Sequence, residues 1–220
     1  MQHIGRLSMP EDLRDICNSR RMALLIYDMQ EGVSRQLSEG PAIIDKVRRV
    51  LQATKAAGLR VAYTRHMSLP TAWMGSFQFR MAMAWQRVSE PGAVQPWFLR
   101  DTPGFRIVEP LAPQPDDAVF DKLAMSAFEG TPLAFALRDC GLVALAIAGI
   151  AMEVGIEPTV RHAADLGIIP VVVADACGAG DAAAARRSLE SLRFAGDAII
   201  TNAEDYCQAL AAGKDSGGNR

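Results

Sequence analysis

Hydrophobic and polar positions alternate along the chain in a repeating order. A stretch with apolar residues at helical spacing ends at a glycine, and a continuous apolar run follows at once. Residues 41–58 show this order: Pro41 suits a first helical position, and Gly58 suits the position just after the last turn. The predicted apolar face of this helix consists of Ile43, Ile44, Val47, Val50, Leu51 and Thr54. The apolar run 59–64 then predicts a strand.

The same order recurs to the end of the chain. Further helices are predicted over 131–141, before Gly167 and before Gly196. Predicted strands cover 22–27, 59–64, 119–120, 142–148, 168–174 and 198–201. Strands that alternate with helices are typical of a parallel sheet, and continuously apolar strands are typical of one covered on both faces. With right-handed crossovers, the pattern predicts a doubly wound, three-layer α/β/α fold.

One long segment breaks this pattern. Residues 67–117 contain all three tryptophans, at positions 73, 85 and 97, and include a predicted short helix over 77–87. We expect an insertion that acts as a lid or oligomer contact, with a substrate-shaping loop as an equal alternative. Residues 1–212 are predicted to form a single domain, and the polar, glycine-rich residues 213–220 a disordered tail.

Composition narrows the functional classes. Half of the 220 residues are hydrophobic and 22% are charged, which argues against disorder. The net charge of −2 argues against the positively charged surface that nucleic-acid binding needs. The longest apolar run, residues 140–152, is too short to span a bilayer. The four cysteines lie far apart without a CxxC motif, so we expect reduced thiols in the cytoplasm.

Two charged residues stand where chemistry is expected in such a fold. Ligands of doubly wound sheets bind beyond the carboxyl ends of the strands. Asp28 follows the strand 22–27, and Lys122 follows the strand 119–120. Each alone has an ordinary structural explanation, a helix cap for Asp28 and a surface position for Lys122. Together, opposite charges at strand ends predict a general acid/base with the cation that tunes it.

The segment 148–158 suggests an anion site. Pro158 cannot lie deep inside a helix, so a helix is predicted to begin within one turn before it. Gly155 then lies near the helix N-terminus, where unsatisfied N–H groups can hold an anion or a developing oxyanion. The alternative is that Gly155 only permits a tight strand-to-helix turn.

Three motifs resemble those of one known superfamily. They are Ala-Leu-Leu-Ile-Tyr-Asp-Met-Gln at 23–30, Phe-Asp-Lys-Leu-Ala-Met-Ser-Ala-Phe-Glu-Gly-Thr-Pro-Leu at 120–133, and Ala-Gly-Ile-Ala-Met-Glu-Val-Gly-Ile at 148–156. In this order they resemble the isochorismatase-like, or cysteine hydrolase, superfamily. The resemblance implies a six-stranded parallel sheet of order 3-2-1-4-5-6, catalytic roles for Asp28 and Lys122, and a cis peptide bond before Ala151 that aims its N–H into the site.

The resemblance also has one informative departure. In the thiol hydrolases of the superfamily, such as nicotinamidase and N-carbamoylsarcosine amidase, the nucleophilic cysteine falls where this chain has Gly155. Glycine has no side chain and cannot form an acyl-enzyme. The isochorismatases also have glycine there, and in them the aspartate matching Asp28 acts as an acid toward an enol ether. The resemblance therefore implies a cysteine-free branch of the superfamily.

Other residues are weaker candidates. His66 could contact the substrate or form a structural hydrogen bond, and Arg80 and Arg87 could neutralise a substrate carboxylate or lie in solvent. Glu153 could bind substrate or serve as a first-turn helix acid. Cys177 follows a predicted strand, and we expect a small buried residue there. Three histidines in the chain argue against the metal site of nicotinamidases, and no cofactor is expected.

These observations predict a hydrolase of a small, anionic organic substrate. Asp28 is expected to be the general acid/base, Lys122 its tuning cation, and the N–H groups of Ala151 and Gly155 donors to negative charge. Two alternatives remain: a pseudoenzyme that binds a ligand or partner, and an amidase in which glycine replaced the cysteine at position 155. The expected partners are the substrate and a second copy of the chain, packed on residues 67–97, with neither nucleic acid nor membrane.

Overall fold

The computed structural model describes residues 2–5, 7–10, 12–18 and 20–215. The chain begins with a small antiparallel hairpin of strands β1 (Gln2–Ile4) and β2 (Leu7–Met9), followed by the short helix α1 (Leu13–Ile16). The hydrophobic pattern did not predict these elements, because strands of three residues are too short to show a periodicity.

A six-stranded, fully parallel sheet forms the centre of the molecule. Its strands are β3 (Met22–Tyr27), β4 (Arg60–His66), β5 (Ala118–Lys122), β6 (Ala144–Ile150), β7 (Ile169–Gly178) and β8 (Ile199–Thr201). The spatial order is β5-β4-β3-β6-β7-β8. Counted within this sheet, it is 3-2-1-4-5-6, and the hairpin β1–β2 is an addition. The strand order reverses between β3 and β6, where such folds bind ligands.

Helices cover both faces of this sheet, which confirms the three-layer α/β/α fold. The helices after α1 are α2 (Glu31–Ser34), α3 (Gly40–Ala56), α4 (Ser76–Gln86), α5 (Leu133–Asp139), α6 (Glu157–Asp165), α7 (Ala182–Ala195) and α8 (Ala203–Asp215). One apolar core joins α3 and α8 to the sheet, and the other joins α5, α6 and α7. Within the described ranges, no helix is long and apolar enough to cross a membrane.

Strand β3 divides its side chains between these two cores. Met22, Leu24 and Ile26 point to the side of α3, and Leu25 and Tyr27 point to the side of α6. This alternation follows from the period of two residues in a strand. It places the Tyr27 ring against α6 and brings Asp28 to the carboxyl edge of the sheet.

The segment between β4 and β5 forms the predicted insertion. Its main element is α4, where the sequence predicted a helix over 77–87, and short 3₁₀ turns make up much of the rest. Trp73 and Phe77 are 77% and 71% exposed on its surface. The predicted tail 213–220 was wrong in part, because α8 continues to Asp215; residues 216–220 lie outside the described residues.

Candidate active site

Asp28 and Lys122 meet at the carboxyl edge of the sheet. The Lys122 Nζ lies 2.7 Å from Oδ2 of Asp28, and the two side chains are 0% and 7% exposed. Their strands are not adjacent, because β4 lies between β3 and β5, so the lysine side chain reaches past β4 to the aspartate. Asp28 has a left-handed backbone conformation (φ +46°), which aspartate tolerates better than most residues. The predicted contact between the two charges is confirmed.

Hydrogen bonds complete the coordination of this buried pair. The Thr64 hydroxyl, on the intervening strand β4, donates to Oδ1 of Asp28 at 2.7 Å. The Lys122 ammonium also donates to the Tyr27 hydroxyl at 2.8 Å and to the Ala124 carbonyl at 3.2 Å. With Asp28, these acceptors engage all three ammonium hydrogens. A buried ion pair needs a full set of hydrogen bonds of this kind to offset the free-energy cost of removing its charges from water.

Tyr27 is a neutral member of this network. Its hydroxyl accepts from Lys122 and donates to the Met125 carbonyl. Burial, followed by the charge of Asp28, raises the pKa of the Tyr27 phenol well above its usual range. The hydroxyl therefore keeps its proton and helps to fix the position of the ammonium. Sequence reasoning missed Tyr27 and Thr64 because neither follows a strand end.

Gly155 lies beside the Tyr27 ring and away from solvent. It belongs to a π-helical turn, Met152–Ile156, that precedes α6. A Cβ atom added at Gly155 would overlap the phenol oxygen and Cζ of Tyr27 and would lie 2.7 Å from its Cε1. The expected anion-binding role of the Gly155 N–H was wrong, because this N–H donates to the Ala151 carbonyl at 3.1 Å. The expected catalytic role of Gly155 thus becomes a spatial one, making room for Tyr27.

A cavity of about 420 Å³ opens over Asp28 and Tyr27; we call it the main cavity. Its walls combine apolar side chains, Trp85, Trp97, Phe98, Met125 and Ile150 among them, with the polar side chains of Asp28 and Gln36. The predicted candidates Ala151, His66 and Arg87 also line it. The Ile150–Ala151 peptide bond is cis, as the resemblance implied. A cavity in which apolar walls surround converging polar groups is typical of small-molecule sites.

His66 contributes a neutral imidazole to this cavity. The ring packs edge-to-face against Phe98 at 5.7 Å and Trp85 at 6.1 Å between centroids. The pKa of His66 is lowered to about 4, mainly by burial; the Asp28 charge opposes this shift and the Lys122 charge adds to it. The Gln30 side chain fixes the His66 backbone, accepting from its N–H at 2.7 Å and donating to its carbonyl at 3.0 Å.

Two predicted substrate contacts are wrong. Oε1 of Glu153 accepts from the backbone N–H groups of Gly180 and Asp181, at 2.7 and 2.8 Å, so Glu153 ties the end of β7 to the π-helical turn. Arg80 is exposed on α4 and does not line the main cavity. Arg87, just after α4, is the remaining arginine candidate, with a left-handed backbone (φ +55°).

Cys177 does not line the main cavity; its thiol lies 3.3 Å from the Val173 carbonyl, and burial raises its pKa to about 12. That is the environment of an unreactive structural cysteine. No group of three or more His, Cys, Asp or Glu side chains in the described part of the chain could hold a metal ion.

Comparison with known proteins gives the family of this chain. A model of the isochorismatase domain matches residues 22–205, which include both Asp28 and Lys122. The chain belongs to the isochorismatase family. It is therefore a hydrolase. Its fold is the three-layer α/β/α fold described above.

Relatives of this isochorismatase-family protein include amidohydrolases. The ureidoacrylate amidohydrolase RutB of Serratia proteamaculans is 27% identical over 207 residues, covering 86% of this chain and 83% of the relative. A cysteine hydrolase from Pseudomonas syringae is 26% identical, with a TM-score of 0.73, and the match covers 89% of this chain and 95% of that one. An isochorismatase family protein from Desulfovibrio vulgaris shares the fold, with a TM-score of 0.73 at 24% identity over 87% and 99% of the two chains.

Proposed function

We propose that this isochorismatase-family hydrolase cleaves a small, anionic organic substrate by direct attack of water, without a cysteine nucleophile. One observation carries the proposal: the Tyr27 phenol fills the space into which any side chain at position 155 would project. A cysteine at this position would overlap the ring. The chain is thus built around glycine at position 155, and this supports its place in the cysteine-free branch of the superfamily.

Asp28 is the group that moves a proton in this mechanism. Its carboxylate lines the main cavity and is held by Thr64 and Lys122. As a water oxygen bonds to the electrophilic carbon of the substrate, the carboxylate accepts a proton from that water. The bond to the leaving group then breaks, and the protonated Asp28 returns the proton to the leaving atom. General acid–base catalysis of this kind typically contributes about 10²–10⁴ in rate.

Lys122 and Tyr27 hold this carboxylate in place. The ammonium is fixed by three acceptors and does not itself line the main cavity, so Lys122 acts through Asp28. The neutral Tyr27 hydroxyl supplies one of those acceptors without adding a second negative charge. Ala151 lines the cavity beside them and remains the proposed backbone donor to developing negative charge.

The charge of the substrate is inferred from the rim of the main cavity. Arg87 is exposed and lines this rim, where its guanidinium can pair with a substrate carboxylate. The names of the amidohydrolase relatives support a C–N bond as the bond that is cleaved. Glycine at position 155 supports an enol ether instead. For that bond, protonated Asp28 gives its proton to the enol carbon, water adds to the resulting oxocarbenium carbon and returns a proton to Asp28, and the hemiketal then releases the alcohol. Both bond types belong in the test.

The alternative of an amidase that has merely lost its cysteine is less well supported. Such a protein would be expected to retain an open space beside residue 155. Here the Tyr27 ring fills that space, and its hydroxyl accepts a hydrogen bond from Lys122. The glycine and the tyrosine therefore depend on each other. The free cysteines of the described chain support a reducing, cytoplasmic location.

The test is turnover without a covalent intermediate. Pure protein is assayed against panels of small carboxylate-bearing amides, ureas, imides and enol ethers, alongside the near-isosteric variant Asp28→Asn. We expect turnover of at least one class, a loss of about 10²–10⁴ in Asp28→Asn, and no mass adduct on the intact protein during turnover. A covalent adduct on any cysteine, or full activity in Asp28→Asn, would overturn the mechanism. Circular dichroism confirms that the variant is folded.

A further inference from the structure

A second, smaller cavity opens beside the main cavity; we call it the side chamber. It has a volume of about 70 Å³ and lies mainly between α4 and residues 66–69 and 95–98, the segments before and after this helix. Five residues line both spaces, namely His66, Trp85, Trp97, Phe98 and Met125. Because these side chains form a shared wall, the side chamber adjoins the site above Asp28.

The walls of the side chamber are mainly apolar, although Ser68, Gln78, Gln86, Gln95 and His66 also line it. Its own walls include Leu69, Met74, Phe77, Met81 and Ala82. Methionine and aromatic side chains adapt to apolar ligands of irregular shape.

One of these polar side chains is Gln78 on α4. Its Oε1 is buried and has no hydrogen-bond partner in the described part of the chain. The terminal torsion of a glutamine amide is broad, so a rotation about it would turn the oxygen toward the side chamber, where a ligand donor could pair with it. A hydroxyl group suits this position, because it can donate to the amide oxygen or accept from the amide nitrogen.

We infer that the side chamber is a substrate subsite for a short apolar arm that ends in a hydroxyl or similar hydrogen-bonding group. The inference rests on the proposed function, since it takes the main cavity as the place of the reacting group. A water molecule needs roughly 10–15 Å³ of cavity volume measured in this way. The side chamber therefore accommodates an arm of about five to seven non-hydrogen atoms.

Three primary carboxamides test the subsite by binding alone. Acetamide has no arm, pentanamide has an apolar arm, and 4-hydroxybutanamide has an arm of the same length that ends in a hydroxyl. Trp85 and Trp97 line both cavities, so their fluorescence reports binding. Each buried methylene strengthens binding up to about fourfold. We expect pentanamide to bind at least about tenfold more tightly than acetamide, and 4-hydroxybutanamide more tightly still.

Two variants of α4 and a control on the same helix assign these effects to the side chamber. Ala82→Leu fills it and should remove the gain of both longer amides over acetamide. Arg80→Leu changes an exposed residue that lines neither cavity, so it should retain the gain. Gln78→Leu should retain the gain for pentanamide and reverse the preference for 4-hydroxybutanamide.

The outcomes separate this inference from the proposed function. If pentanamide binds no more tightly than acetamide, or if Ala82→Leu leaves the gain intact, the side chamber is not a subsite. An unchanged hydroxyl preference in Gln78→Leu would overturn the role of the buried amide. The binding measurements require no turnover. If affinity increases with the length of the amide but Asp28→Asn retains full activity, the subsite is supported and only the proposed mechanism is refuted.

Discussion

The ring of Tyr27 and the missing side chain of Gly155 occupy the same space. Tyr27 lies at the end of β3 and Gly155 in the turn before α6, and an added Cβ at position 155 would overlap the phenol. The tyrosine hydroxyl bonds in turn to the ammonium of Lys122. Tyr27 therefore links the two features: its ring needs the glycine at position 155, and its hydroxyl helps to hold the Asp28–Lys122 pair.

Gly155→Cys should consequently destabilise the protein without creating a reactive thiol. The overlap with Tyr27 should cost at least the roughly 1–3 kcal/mol typical of overpacking, measured by urea unfolding. The double variant Tyr27→Val, Gly155→Cys removes the ring and should recover part of that loss. Alkylation by iodoacetamide, followed by mass spectrometry, measures the accessibility of the new thiol. A stable, rapidly alkylated single variant would show that the two positions are independent.

Lys122→Met should lower the free energy of unfolding by about 3–5 kcal/mol, because the buried Asp28 carboxylate would lose its counter-charge. Lys46→Met is the matched control. Lys46 is 47% exposed, with its Nζ 3.5 Å from Asp175, and its loss should cost no more than about 1 kcal/mol. Adding Asp28→Asn to Lys122→Met should restore part of the stability, since no unpaired charge then remains. Equal losses in both lysine variants would contradict this account.

His66 should make stability depend on pH in a defined window. Burial lowers its pKa to about 4 in the folded protein, whereas an unfolded histidine titrates near 6.5. As the pH falls from about 6.5 to 4, the unfolded chain gains a proton that the folded chain excludes. The His66 contribution to the free energy of unfolding should therefore fall by up to about 3 kcal/mol.

Urea unfolding between pH 4 and 7 measures this effect. His66→Phe, in a site already lined by aromatic rings, should show a correspondingly shallower pH dependence than the wild-type protein. An unchanged slope in His66→Phe would mean that another group excludes the proton.

The insertion should mediate association of two copies of the chain. Its exposed Trp73 and Phe77 present apolar surface of the kind that forms subunit contacts. We expect light scattering to give about twice the chain mass of 23.7 kDa, and Trp73→Ser with Phe77→Ser to give a monomer. Phe194→Ser, which changes a 95% exposed residue on α7, should leave the dimer intact. A wild-type monomer would refute the proposed contact.

The sequence by itself determined the elements of the sheet and the position of its charged pair. Apolar runs and helical periodicity are local properties, so they predicted β3 over its observed range and α3 to within two residues. Parallel strands bring their carboxyl ends to one edge, and this placed Asp28 and Lys122 on the same side of the molecule. For the same reason His66, at the end of β4, lies beside them and lines the main cavity.

Only the tertiary structure decided how the neighbouring groups are used. Tyr27 and Gly155 meet because the α6 side of β3 packs on the turn before α6, a contact that no local pattern encodes. The same packing commits the Gly155 N–H to a backbone carbonyl and Oε1 of Glu153 to the loop after β7. A side chain's chemistry is fixed by its residue type, but its available donors and free space are set by elements that are distant in the sequence.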